Sequence, residues 1–283
     1  MQYAFFDIHS HLHDKAFSVD REEIISEMKQ KGFGSITVGT GLKESRDAVA
    51  LADAHPNIFA TVGLHPADNI LEEYDGDAFL QLAQHEKVVA IGECGLDYYY
   101  IETFFEKDQK EKGNLPAGGW NKDAESDRQK RIFEKQIDLA VEVGKPLMLH
   151  GRPSKGSMDA YEDMLYMLER AKEKYGEKLQ GNAHFFAGNI DIAKRFLDIG
   201  FTMSFSGVIT FAHDYDDVVR YVPLTMMHAE TDSPYATPAP FRGQRNSSLM
   251  VQEIVARIAV LREQPMEEVR VQLIENARRV FRI

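Results

Sequence analysis

Short apolar runs, each followed by a longer charged stretch with helical spacing, recur along the whole chain. That alternation is the mark of repeated strand-then-helix units. The predicted strands are Tyr3–Ile8, Ser35–Gly39, Ile58–Gly63, Val88–Glu93, Pro146–His150, Gly181–Phe185, Thr202–Ser206 and Met226–Glu230. Helical stretches such as Asp20–Lys31 and Arg128–Val143 lie between them. Eight such units predict an α/β fold, a single (β/α)8 TIM barrel over residues 1–283. An open doubly wound sheet would carry a glycine-rich turn after its first strand, where this chain has Asp7-Ile8-His9-Ser10-His11. The one long irregular stretch, Phe104–Asp127, contains Gly113, Pro116, Gly118 and Gly119 and reads as an insertion after the fourth strand. A functional loop and a decorative one fit it equally.

Composition narrows the setting. The 283 residues, 43% hydrophobic and 28% charged, suffice for one large core. No apolar run approaches the ~18 residues of a membrane span, and Met1 to Asp7 offer no basic lead or cleavage site, so neither span nor secretory leader is expected. Cys94 is the single cysteine, which excludes an intrachain disulfide framework and makes the cytoplasm the expected compartment. A net charge of −12 argues against a broad basic surface for nucleic acid, though not against a local cationic cleft. Oligomeric state is not legible.

Ligand-capable side chains gather at the carboxyl ends of the predicted strands, where barrel enzymes carry their chemistry. His9 and His11 are two apart, so on a strand both imidazoles point the same way and can reach one cation. Ordinary loop hydrogen bonding fits such a pair as well, and His13 reads as a nearby hydrogen-bonding residue. Glu93 ends an apolar run, where an unpaired carboxylate is costly. A salt bridge or a pair of cations bridged by its oxygens would answer that cost. His150 and His184 stand at two further strand ends, and Asp232, close after Glu230, can ligate a cation or take a proton from water. Asp97 reads as a turn-shaping residue. Cys94, facing away from Glu93, reads as core. Tyr98-Tyr99-Tyr100 can form a packed loop or a base-stacking platform.

Histidine and carboxylate donors together suit Zn²⁺ or Mn²⁺, and Mg²⁺ if water or substrate supplies more oxygen. Such cations activate water, so hydrolysis is the expected chemistry.

The chain resembles the TatD family of metal-dependent hydrolases and deoxyribonucleases. The resemblance rests on Asp7-Ile8-His9-Ser10-His11, Gly63-Leu64-His65-Pro66, Gly92-Glu93-Cys94-Gly95-Leu96-Asp97-Tyr98, His150-Gly151-Arg152, His184-Phe185-Phe186-Ala187-Gly188 and Glu230-Thr231-Asp232-Ser233-Pro234-Tyr235. Arg242-Gly243-Gln244-Arg245-Asn246 and the closing Glu275–Phe281 helix extend it. The resemblance implies two divalent cations, one on His9, His11, Glu93 and Asp232, the other on Glu93, His150 and His184, with Glu93 bridging. It implies that Asp232 generates the attacking water and that His65 and Arg152 contact substrate, with Arg242 and Arg245 as further candidates. A strand-end hydrogen bond for His65 and a surface ion pair for Arg152 are the plainer readings.

The chain departs from the family pattern in the 104–127 stretch and in Pro153-Ser154-Lys155-Gly156 after the fifth strand. Both departures bear on substrate rather than on metal. The leading expectation is hydrolysis of phosphodiester bonds in DNA or of a small phosphoester. An amide, ester or lactone hydrolase and a non-catalytic metal-binding protein are the alternatives.

Overall fold

A computed structural model describes residues 3–68, 70–104 and 121–283. Eight parallel strands form one sheet in chain order: β1 (Phe5–Ser10), β2 (Phe33–Val38), β3 (Ile58–Val62), β4 (Val88–Asp97), β5 (Leu147–Arg152), β6 (Gly181–Ala183), β7 (Thr202–Phe205) and β8 (Met227–Ala229). The sheet closes between β1 and the segment after β8. Asp232 N donates to His9 O at 2.9 Å, and His11 N donates to Ser233 O at 2.8 Å. This is the TIM barrel that the alternation predicts. The helices among the described residues are α1 (Arg21–Lys31), α2 (Leu42–Ala54), α3 (Gly76–Ala83), α4 (Tyr98–Thr103), α5 (Lys122–Val143), α6 (Asp159–Tyr175), α7 (Ile190–Asp198), α8 (Asp216–Tyr221), α9 (Val251–Arg262) and α10 (Met266–Phe281).

Seven strands begin and end within two residues of the sequence expectation, and two boundaries differ by more. β4 runs past Glu93 to Asp97, because Cys94 to Asp97 continue the pairing with β5. The long helix before β5 begins at Lys122 rather than Arg128, capped by Asn121, whose side chain accepts from Ala124 N. Residues 122–127 of the expected insertion are therefore helix, and 105–120 lie outside the described residues.

The barrel interior is divided. On one side Phe6, Ile8, Ile36, Val38 and Met148 form an apolar cluster with Ala277, Val280 and Phe281 of α10. The strands β6 to β8 are instead joined by buried polar side chains. His228 Nε2 lies 3.1 Å from Thr202 Oγ1, Thr202 Oγ1 donates to Asn182 Oδ1 (3.1 Å), Asn182 Nδ2 to Ser204 Oγ (2.9 Å) and Ser204 Oγ to Glu230 (2.6 Å). From Thr202 on, every link donates in one direction, so the chain ends on the carboxylate, the group best able to accept it.

Candidate metal centre

Burial and strand alternation bring the predicted ligands together. His9 Nε2 lies 3.4 Å from His11 Nε2 and 3.4 Å from Glu93 Oε2. Asp232 Oδ1 lies 3.4 Å from His11 Nε2 and 3.7 Å from His9 Nε2. Donors bonded at about 2.0–2.1 Å to one tetrahedral cation are themselves separated by about 3.3–3.4 Å. The four side chains thus have the spacing of atoms around a single ion. The other oxygen of Glu93, Oε1, lies 2.7 Å from His150 Nδ1 and 2.9 Å from His184 Nε2. One carboxylate consequently faces two groups of imidazoles.

The outer ring nitrogens set what the inner ones offer. His11 Nδ1 stands 3.0 Å from Val38 O, which can only accept, so Nδ1 carries the proton and Nε2 turns a lone pair inward. His150 Nε2 faces Asp97 Oδ2 at 3.1 Å, and His184 Nδ1 faces Glu230 Oε1 at 3.2 Å. Carboxylates and carbonyls behind the rings are the usual partners of metal-binding histidines. With the outer positions protonated, inner lone pairs confront a carboxylate at hydrogen-bond distance, an arrangement that needs a cation or a proton between them. These residues fit divalent cations.

Protonation without metal follows the same geometry. Burial alone would lower His150, but its hydrogen bonds to Asp97 and Glu93 and their charges overcome this and raise it to about 9. His184 is likewise raised well above its ordinary value, the charges of Glu93 and Glu230 outweighing burial. His9, buried and stacked on His184 with ring centroids 3.7 Å apart, is lowered by burial and then by the neighbouring imidazole. Burial would raise Glu93 and Asp232, yet the surrounding histidines hold both below the usual carboxylate range, Glu93 well below.

The centre opens into a cavity of about 780 Å³. His65 and Arg152 line it. His65 Nδ1 accepts from Ala67 N and Asp68 N at 3.1 Å each, while Nε2 lies 3.6 Å from Glu93 Oε1. The strand-end hydrogen bond and the place beside the centre are both realised. Arg152 makes no surface ion pair among the described residues; its guanidinium lies 4.2 Å from the Tyr99 ring centroid.

The family model described as "TatD related DNase" matches residues 6–282. The chain belongs to the TatD family. The metal-dependent hydrolase YabD of Bacillus subtilis (strain 168) is 36% identical over 282 residues, 98% of this chain and 99% of YabD. The metal-dependent hydrolase YcfH of Escherichia coli (strain K12) is 35% identical over 246 residues, 86% of this chain and 80% of YcfH. The crystal structure of YJJV, a TatD homolog from Escherichia coli K12, superposes with a TM-score of 0.80 at 27% identity, covering 100% of both chains. A dihydroorotase from Saccharomyces cerevisiae (TM-score 0.60, 12% identity, 99% of this chain and 84% of that chain) shares the barrel. This TatD protein is a metal-dependent hydrolase.

Other sequence candidates resolve individually. Asp97 caps α4, accepting from Tyr100 N at 2.7 Å, and also holds His150, so the turn-shaping reading covers half of its contacts. His13 Nδ1 is 2.8 Å from Thr37 Oγ1, and its pKa is lowered to about 3, chiefly by burial. Cys94 is buried in the core, and burial pushes its thiol up. Tyr98 and Tyr100 are buried, so the packed reading holds for them. Arg245 is bound to the scaffold, pairing with Asp20 at 3.0 Å and donating to Ala16 O at 2.6 Å. The orienting role of Glu230 was missed: it is fully buried and accepts from Phe185 N (2.6 Å) and Ser204 Oγ as well as facing His184. Its position at the end of the eighth apolar run, two residues before Asp232, was the available signal. Among the described residues, no helix is long and apolar enough to cross a membrane.

Proposed function

We propose that this chain, one barrel domain over residues 1–283, is a cytoplasmic deoxyribonuclease that hydrolyses phosphodiester bonds at an exposed DNA end. It uses two divalent cations drawn from Zn²⁺, Mn²⁺ and Mg²⁺. The observation that carries this reading is the single carboxylate of Glu93 set between two groups of inward-turned imidazoles. His9, His11, Glu93 and Asp232 would hold one cation, and Glu93, His150 and His184 the other. Bound there, divalent cations supply Lewis acidity, lowering the pKa of water and offsetting charge on phosphoryl oxygens. A cytoplasmic place is supported by the lone, buried Cys94.

The protein's own groups then divide the work. Asp232, held ionised below the usual carboxylate range, takes the proton of the attacking water. Glu93 fixes the two imidazole groups about a common point. His65 and Arg152, at the cavity wall, contact the scissile phosphate, where a guanidinium can donate two hydrogen bonds to one anion. Action at an end is supported by charge: Asp14, Glu44 and Asp68 line the β1 to β3 side of the cavity and oppose a phosphate backbone running on past the centre.

The test is nucleotide release from 3′- and 5′-end-labelled DNA by metal-stripped protein reconstituted separately with Mg²⁺, Mn²⁺ and Zn²⁺. Release by the wild type and not by Glu93→Ala is expected. Release from no DNA substrate, with turnover of a small phosphoester, amide or lactone, would overturn the nuclease reading.

A further inference from the structure

Two arginines close together after β8 have opposite surroundings. Arg245 is taken up by Asp20 and Ala16. Arg242 sits over Phe211, its guanidinium carbon 3.9 Å from the ring centroid, and donates one hydrogen bond, to Thr237 O at 3.2 Å. Among the described residues no carboxylate pairs with it. In a chain of net charge −12, an exposed arginine without an acidic partner is a cation available to something else. Its place is defined, because Arg242 and Phe211 line the same cavity as His11 and Asp232.

The pair is built from two loops that brace each other. Ala239 N donates to Thr210 Oγ1 at 2.8 Å, joining the loop after β8 to the loop after β7. A Cβ at Gly207 would stand 2.1 Å from Ala236 O, so the two backbones meet with no room for a side chain. Arg257 Nε donates to Ile209 O at 3.0 Å, holding the Phe211 loop to α9. Beside them Tyr235 is 61% exposed at the cavity wall, an aromatic face open to a base. Arg152 stands on the far side of the centre, at the end of β5.

We propose that Arg242, held on Phe211, is a subsite for the phosphate next to the scissile one, with Tyr235 stacking the base between them. This rests on the nucleic-acid reading above and adds to it a preference for oligonucleotides over single phosphoesters. Arg152 serves the scissile phosphate and Arg242 its neighbour. A planar guanidinium supported on a ring is held in place and can bind a phosphate without losing a competing carboxylate.

The test is the salt dependence of kcat/KM on an oligothymidylate for the wild type, Arg242→Gln, Arg242→Lys and Arg195→Gln. Arg195, on α7, pairs with Glu169 away from the cavity and controls for net charge. Arg242→Gln is expected to lower kcat/KM about 10-fold and to reduce the slope against log salt by about 0.7, one single-strand phosphate contact. Arg242→Lys restores most of the slope, and Arg195→Gln keeps the wild-type slope. Replacing the flanking phosphate by an uncharged methylphosphonate should cost the wild type about as much as the substitution does, and cost Arg242→Gln little more. A wild-type slope in Arg242→Gln, with an equal methylphosphonate penalty in both proteins, overturns the subsite alone. No cleavage of any oligonucleotide by the wild type overturns the nucleic-acid reading and the subsite with it.

Discussion

Glu230 holds His184 by its outer nitrogen: Oε1 lies 3.2 Å from Nδ1, while Nε2 of the same ring lies 2.9 Å from Glu93. The carboxylate is itself fixed by Ser204 and by the backbone amide of Phe185. Glu230→Gln would keep the shape and remove the charge that fixes the tautomer. A 10–100-fold loss of metal affinity is expected, read by titration with a competing chelator, with the folded circular dichroism spectrum retained. Unchanged affinity would reduce Glu230 to a packing residue.

Gly95 lets β4 approach β5 beside His150. Its φ is +144°, and a Cβ there would stand 2.1 Å from His150 O. Gly95→Ala should therefore push the two strands apart, destabilising the fold by about 2–4 kcal/mol in urea unfolding. Metal content should fall as well, because His150 moves with its strand. A variant of wild-type stability would show that the backbone relaxes freely.

Phe281 is buried against the apolar side of the barrel interior and packs on His228, with ring centroids 5.6 Å apart. Phe281→Ala is expected to cost about 3–5 kcal/mol, measured by chemical denaturation. The loss belongs to the whole fold, so the metal stoichiometry of the surviving folded protein should stay at the wild-type value.

His228 is fully buried, and burial, then the charge of Arg279, lowers it to about 3. An unfolded histidine titrates near 6.5. Between these values the unfolded chain binds the extra proton, so the stability from neutral His228 is complete above about 6.5 and is lost as pH falls toward 3. His228→Gln should flatten the decline of unfolding free energy over this window by up to about 1.4 kcal/mol per pH unit. An identical pH profile in wild type and variant would show that other groups carry the whole decline.

The barrel was legible because eight apolar runs alternate with amphipathic stretches, a pattern set by covering both faces of parallel strands. The end of β4 was not, since Gly95 brings no side chain to continue the apolar run past Glu93, although Gly92 and Gly95 let the strand pass close to Met148 and His150. His9, His11, Glu93, His150, His184 and Asp232 were readable as polar residues at strand ends, and the structure brings them together. The polar links Asn182, Thr202, Ser204 and His228 were not readable. Each is an unremarkable residue within a short strand, and its meaning comes from partners about 20 or more residues away. The contrast between Arg242 and Arg245 was hidden for the same reason. Which of two nearby arginines finds a carboxylate depends on Asp20, at the start of α1.

The most direct test of the centre is anomalous diffraction from crystals loaded with Mn²⁺ or Zn²⁺. Two peaks are expected, about 3.5–4 Å apart on either side of Glu93. One should lie within bonding distance of His9, His11 and Asp232, the other of His150 and His184. A single peak away from Glu93, or no peak at these side chains, would contradict a centre bridged by that carboxylate.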